Sequence, residues 1–556
     1  MFFKWPFTAC FFALAALFIV SCADTDKKTA EEPDKSGKRI FSIFSTKNYS
    51  EFTIDSNVVK EFIASDSLFK CIQSQIIPFY SNRDFQFAWF SEGSLGPFAS
   101  SFHSMVHNYL EDYGDSSVFD PKLDSLILEA EEQGRKFTKN KSQTLELELR
   151  LTATFFLYAR HEFEGKIENP EKLKWFIPRK KKNLPALLDS MLTETGFLKN
   201  IEPVNVYYLG LKQSLRIYRQ IEKSNAWPQN IPVPKSKLQI GVSDSALPAL
   251  KLALFLVGDL AEADSSVEFT LATKIGLESF QNRMGIVASG KPDANTMKEL
   301  QVPIQTRIRQ MMVNLERLRW LPDKVSGNFL LVNIPEFKLH VFEDGKPAWD
   351  CNVVVGKEAG KTQVFKGNLS MIVLNPSWGV PAGIVKNEVL PGIKKNISYL
   401  KKHEMDVYEG NTKINPRRVN WNKYTDRIPY TIRQRAGKNN PLGQYKFHLS
   451  NSFLIYLHDS NQPYLFSENR RAFSHGCIRV EKARKLAEYL LRNEKAWTSA
   501  RIDKFLKTKT DYGVPVEPHI PVYLVYLTSW ANEKGQVQFR KDIYGRDDML
   551  EKAIFE

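Results

Sequence analysis

A chain of 556 residues is too long for one hydrophobic core and predicts roughly three or four domains. Hydrophobic residues at 43% and charged residues at 25% exclude both a disordered chain and a many-spanning membrane protein. The formal net charge of +14 favours an anionic partner, but the basic residues are spread out, with local clusters such as RKKKN at 179 to 183. No nucleic-acid motif accompanies them, so they read either as a solvated face or as attraction to an acidic polymer or membrane surface.

Residues 1–22, MFFKWPFTACFFALAALFIVSC, have a basic start at Lys4 and an apolar run, the pattern of a secretory signal. The end of that run, Ile19 to Cys22, resembles the lipobox of bacterial lipoproteins. The resemblance implies lipidation at Cys22 and a membrane held through that lipid. The tract after it, ADTDKKTAEEPDKSGKR, is charged and free of aromatics, which suits a flexible tether over 23–50. With Cys10 lost in the signal and Cys22 lipidated, Cys71, Cys351 and Cys477 remain. An odd number in an exported protein leaves one thiol unpaired, and Cys477 is the best candidate for it. A Cys71 to Cys351 disulfide and two reduced buried cysteines both remain open.

In chain order, residues 51–240 read as a helical domain. In LRLTATFFLYARHEF, Leu149, Thr152, Phe156, Ala159 and Phe163 recur at intervals of three and four, which predicts a packing face. Breakers in NAWPQNIPVPKSK mark a domain junction. A small three-helix unit follows over 246–302. Phe280-Gln281, Gly285-Ile286, Ser289-Gly290 and a helix from Thr296 to Leu300 resemble a peptidoglycan-binding module, with Ser289 where an acidic residue is usual. A connecting helix over 303–320 carries the stripe Ile304, Ile308, Met311, Leu315 and Leu318. The period then changes to that of strands: NFLLVNI, KLHVFED, CNVVVG, SMIVLN, FLIYLH and VYLVYL predict a β-dominated domain over 321–530. Within it, 389–442 is a polar, basic insertion with helical signals, either a lid or a surface excursion. Residues 531–556 read as a C-terminal tail. The fold class is multidomain α+β.

The chemistry concentrates in RAFSHGCIRV. Cys477 follows His475 and Gly476, and His458 lies upstream at the end of a predicted strand on which Leu454, Tyr456 and His458 share a face. The run Val480, Ala483, Leu486, Ala487, Leu490 and Leu491 predicts a helix starting just after Cys477, whose dipole would stabilise a thiolate. A neutral histidine could take the thiol proton, and amides near Gly476 and Cys477 could hold an oxyanion. Two other readings stand beside the nucleophile: an inert core cysteine, and a zinc site from His458, Asp459, His475 and Cys477, which no CxxC or HExxH spacing supports.

HDSNQPYLFSENRRAFSHGCIRV resembles the active-site motif of L,D-transpeptidases with a YkuD-type catalytic domain, and NPSWGVP, RQRAGKNNPLGQYKF and DIYGRD extend the resemblance. It implies the large subtype, with a helical scaffold, a peptidoglycan-binding module and a cap matching 389–442. It makes Cys477 the nucleophile and His458 the base, with the backbone carbonyl of Asp459 or His475 orienting the imidazole. It gives His475 a largely structural part, beside Gly476. Arg479 supports the site or meets a substrate carboxylate, and Ser474, Trp378 and Asp459 join it as substrate-binding candidates. The implied reaction is two-step acyl transfer between peptidoglycan stem peptides, forming 3-3 cross-links with release of D-alanine, without metal or cofactor and open to acylation by carbapenems. The implied setting is the periplasmic face of a bacterial cell envelope, as a monomer with no nucleic-acid partner. An L,D-carboxypeptidase and a non-catalytic wall-binding lipoprotein are the alternatives.

Overall fold

The computed structural model describes residues 49–556 apart from 180, 194–204, 323–324, 438 and 509. The signal, Cys22 and nearly all of the tether lie outside the described residues. Helices dominate the N-terminal half and strands the C-terminal half, a multidomain α+β chain.

The helical half is built around α1 (Phe98–Tyr113), α2 (Pro121–Gln133), α3 (Lys141–Ala159) and α4 (Val206–Lys223). The sequence stripe on α3 is buried, but so are Leu151, Ala153 and Phe155 between its members. This helix is therefore central and surrounded, which is why its apolar residues go all the way round. Its one buried carboxylate, Glu148, accepts from the amides of Ala88 and Trp89 and from the Tyr80 hydroxyl.

Three helices, α5 (Leu247–Leu256), α6 (Leu271–Arg283) and α7 (Ala294–Leu300), make up the small unit. Its sequence signature has an internal explanation. The fully buried Gln281 donates to Thr296 Oγ1 (2.8 Å) and to the Lys291 carbonyl (2.7 Å), and accepts from the Gly290 amide (2.8 Å). These residues hold the turn together. Helix α8 (Ile304–Arg319) buries the predicted stripe and most of its other side as well. Its charged residues are paired: Arg317 meets Asp547 at 2.6 Å, and Arg319 meets Glu316 and donates to the Glu162 carbonyl.

The C-terminal half is a mixed sheet. Its strands are β2 (Phe329–Asn333), β3 (Lys338–Glu343), β4 (Lys346–Gly356), β5 (Val364–Leu374), β10 (Tyr445–Leu449), β11 (Leu457–His458), β13 (Ile478–Val480) and β14 (Tyr512–Val525). Neighbours run β10, β11, β13, β4, β3, β2, β14, β5, and β5 pairs again with β10, so the ring of pairings closes. Closure removes free edges. A short scaffold strand, β1 (Trp175–Phe176), joins the same edge of β5 as β10, and β12 (Ala472–Ser474) lies parallel to the end of β4.

Two sequence expectations need correction. The insertion is a subdomain beginning at β6 (Trp378–Gly379), not at 389, and it has strands where the pattern seemed to lapse: β7 (Met405–Glu409), β8 (Thr412–Ile414) and β9 (Thr431–Gln434). They pair in the order β8, β7, β9, β6 around a separate core of Val389, Leu390, Ile393, Val407 and Ile432. Charged residues on the outer face of these short strands hid their alternation. Residues 531–556 are not a tail. The hairpin β15 (Ser529–Ala531) and β16 (Val537–Phe539) and helix α9 (Arg546–Phe555) bury Phe539, Tyr544, Arg546 and Leu550. Cys71 is exposed and Cys351 buried in β4, and among the described residues no disulfide joins them, which answers a point the sequence left open.

Candidate active site

The barrel sets His458 and Cys477 on neighbouring strands. Strand β11 runs parallel to β13, with His458 opposite Arg479, and the Ile478 amide donates to the Tyr456 carbonyl (3.2 Å). Cys477 directly precedes β13, and the predicted helix begins only at Ala483. Ile478 and Val480 bury against the barrel as strand residues, so the periodic run divides between two elements. The helix dipole is therefore not what acts on the thiol, since its effect fades beyond the first turn. FLIYLH is likewise mostly loop, with only Leu457 and His458 in the ladder and Leu454 turned outward.

The bend before Cys477 is built from buried hydrogen bonds. Gly476 has φ +126°, a region that penalises any Cβ. The Ser474 hydroxyl donates to the Cys477 carbonyl (2.5 Å) and accepts the Gly476 amide (3.1 Å). Thr362 donates to the Gly476 carbonyl (2.8 Å) and accepts from the Gly356 amide (2.9 Å). Tyr544 then donates to the Gly356 carbonyl (2.5 Å) and accepts from the Thr362 amide (3.3 Å). The C-terminal segment thus braces the Cys477 loop from beneath.

His458 is buried, and its Nδ1 lies 2.6 Å from the Asp459 carbonyl. Since a carbonyl only accepts, Nδ1 carries the hydrogen, and Nε2 keeps its lone pair. Burial, reinforced by Arg479, pushes its pKa down to about 3. Burial also pushes the Cys477 thiol above its ordinary value, against hydrogen bonds from Tyr456 and the charge of Lys446. The pair therefore rests as neutral thiol and neutral imidazole, with proton transfer deferred to the attack itself. Lys446 Nζ sits 4.2 Å from the Tyr456 ring centre.

These groups face a cavity of about 740 Å³ between barrel and cap, lined by His458, Cys477, Tyr456, Arg479 and, from the cap, Trp378 and Glu388. Ser474 and His475 also line it. The His475 ring is over half exposed and reaches Glu388 across the cavity at 4.0 Å. Arg479 donates to Gln462 Oε1 (2.7 Å), while its Nε is buried without a partner. Asp459 is the exception among the candidates. Its carboxylate accepts the Gln444 amide (2.9 Å) and packs where a Cβ on Gly443, at φ +62°, would stand. It shapes a turn and orients His458 through its carbonyl, and its side chain does not line the cavity. Sequence reasoning missed Lys446, Thr362 and Tyr544 as parts of the site, and used Tyr456 only to mark a strand face.

A family profile described as the L,D-transpeptidase catalytic domain, YkuD, matches residues 327–516, the stretch that builds this barrel and cap. The chain carries a YkuD-type L,D-transpeptidase catalytic domain. A second profile, described as a scaffold domain, matches residues 74–215, ahead of the transpeptidase domain. A curated protein of Haemophilus influenzae (strain ATCC 51907 / DSM 11121 / KW20 / Rd), named "Putative L,D-transpeptidase", is 36% identical over 247 residues, 44% of this chain and 49% of its own length. The chain thus spans about half the length of that relative. A crystal structure of an L,D-transpeptidase (Yku) from Stackebrandtia nassauensis aligns with 12% identity and a TM-score of 0.21, covering 53% of this chain and 97% of that one. The L,D-transpeptidase of Xylanimonas cellulosilytica DSM 15894 (residues 123–326) gives 14% and 0.18, covering 53% and 100%. Scores this low add no weight to the transpeptidase assignment, which rests on the profiles, the curated relative and the motif.

Proposed function

We propose that the protein is an L,D-transpeptidase of the bacterial cell envelope that forms 3-3 cross-links between peptidoglycan stem peptides through a thioester on Cys477. The observation that carries this reading is the pairing of Cys477 with an Nδ1-tethered, neutral His458 in one cavity. Cys477 Sγ attacks the carbonyl after the third residue of a tetrapeptide stem while His458 Nε2 takes the thiol proton. The Cys477 amide is the candidate oxyanion donor, because the Gly476 amide is already held by Ser474. Collapse of the tetrahedral intermediate breaks the peptide bond, and the proton on His458 leaves with the amine of D-alanine. The side-chain amine of a second stem then attacks the thioester, passes a proton to His458, and Cys477 departs to recover its proton.

Arg479, with an unpartnered Nε in a half-buried side chain, suits a stem carboxylate. The cap closes one side of the cavity and limits the water that would compete with the acceptor amine. Lipidation at Cys22 would hold the enzyme at the membrane, and the small helical module would supply contact with the wall. Among the described residues no helix is long and apolar enough to cross a membrane.

The test is intact-protein mass spectrometry with a purified disaccharide-tetrapeptide. A transient adduct of substrate minus D-alanine, absent in Cys477→Ala and followed by cross-linked dimer, is expected. An adduct that decays only to tripeptide would replace the transferase reading with an L,D-carboxypeptidase. Absence of any adduct, with retained sacculus binding, would leave a wall-binding lipoprotein.

A further inference from the structure

The scaffold holds a cluster that the acyl-transfer chemistry does not use. His103 and His107 stand four residues apart on α1, so both imidazoles project from one face of the helix. Asp124, in the first turn of α2, reaches the same point from the facing helix. Among the described residues, these three form a group whose ligand atoms all lie within 4.8 Å of one another. His103 Nε2 and His107 Nε2 are 3.2 Å apart, His107 Nε2 is 2.9 Å from Asp124 Oδ1, and His103 Nε2 also contacts Asp124 Oδ1. We infer that His103, His107 and Asp124 form a binding site for one divalent transition-metal ion of the zinc type, which ties α1 to α2.

The donor set and its spacing carry this. Two imidazole nitrogens and one carboxylate oxygen are borderline ligands suited to zinc and poorly suited to calcium or magnesium, which take oxygen alone. Ligands about 2.0–2.1 Å from a tetrahedral zinc ion stand roughly 3.3–3.4 Å apart, close to the observed separation of the two nitrogens, while Asp124 Oδ1 stands nearer to both and would draw back to admit the ion. Without a metal the three atoms share protons, with both imidazoles donating to Asp124 Oδ1 or one donating to the other's lone pair. A cation at the centre instead receives a lone pair from all three atoms. The Phe119 ring packs edge-on against His107 at 5.8 Å and limits its rotation. The side chains of His107 and Asp124 are 43% and 30% exposed, so an ion can enter and complete its shell with water. With no cysteine and no apolar enclosure, the site reads as a staple between helices.

The experiment uses the full chain, stripped with a chelator and titrated with Zn²⁺, and then with Co²⁺ as a spectroscopic probe. Cys477 and its histidines are the competing ligands, so Cys477→Ala is measured in parallel. One tight equivalent is expected in both proteins, with a raised thermal midpoint and a cobalt spectrum lacking sulfur-to-metal charge transfer. His107→Gln, at an exposed position, and Asp124→Asn are each expected to weaken that equivalent by at least roughly tenfold. Retention of tight zinc in both variants, loss of it in Cys477→Ala, or thiolate absorption in the cobalt spectrum would overturn the site. Mg²⁺ is expected not to bind. None of these readouts depends on acyl transfer, so the inference stands or falls separately from the proposed function.

Discussion

The two walls of the cavity are made differently. The barrel wall is held by buried hydrogen bonds that run from Ser474 and Gly476 through Thr362 to Tyr544. The cap wall has its own small core and meets the catalytic motif through Glu388 and His475, both more than half exposed and 4.0 Å apart. Buried polar networks are costly to break, whereas exposed ion pairs are worth little. The Cys477 loop is thus held rigidly, and the cap side of the cavity is joined to it weakly. Under the proposed function, a site that must present one sulfur accurately, yet accept two large stems in turn, needs both kinds of wall.

The largest effect on the rigid wall is expected from His458, the proposed base. His458→Gln should slow acylation by roughly 10²–10⁴, measured as the rate of adduct formation, because no other group takes the thiol proton. A loss under tenfold would mean that another base serves. Next come the braces. Thr362→Val and Tyr544→Phe each leave buried backbone groups unpaired and should each cost about 1–3 kcal/mol of stability, read from denaturant midpoints, together with slower acylation. If either is neutral in both readouts, the rigid-wall account fails.

The protonation state gives a third check. With the Cys477 pKa raised by burial and that of His458 lowered to about 3, no thiolate-imidazolium pair forms at neutral pH. Alkylation of Cys477 by iodoacetamide should therefore climb with pH, with its midpoint above that of a free thiol, rather than level off in mild acid. A plateau below neutrality would show a preformed ion pair. The smallest effect is expected on the soft wall. Glu388→Gln removes a contact worth at most about 1 kcal/mol, so acylation should change by less than roughly fivefold, with salt masking even that. A larger, salt-resistant loss would place Glu388 in the chemistry and erase the contrast between the walls.

Much of this was legible before any coordinates. The strand runs of the barrel, the stripe on α8 and the SHGC motif are local patterns, because periodicity and spacing are written in consecutive residues. Errors arose where a local pattern had two readings. Ile478 to Val480 fits a helix stripe as readily as a strand, and the short strands of the cap carry too many charged residues to announce themselves. The His103 and His107 spacing is visible on one helix, but Asp124 meets it only because α2 folds back. By itself, then, the sequence determined most of the elements and the α+β class, and it singled out Cys477 and His458 as candidates. Only the tertiary structure decided that Thr362 and Tyr544 clamp the Cys477 loop, that Asp459 meets His458 through its carbonyl, and that burial raises the thiol's pKa. The reason is physical: burial, which sets both pKa values, and hydrogen bonds between residues 114 and 188 positions apart exist only once the barrel has closed.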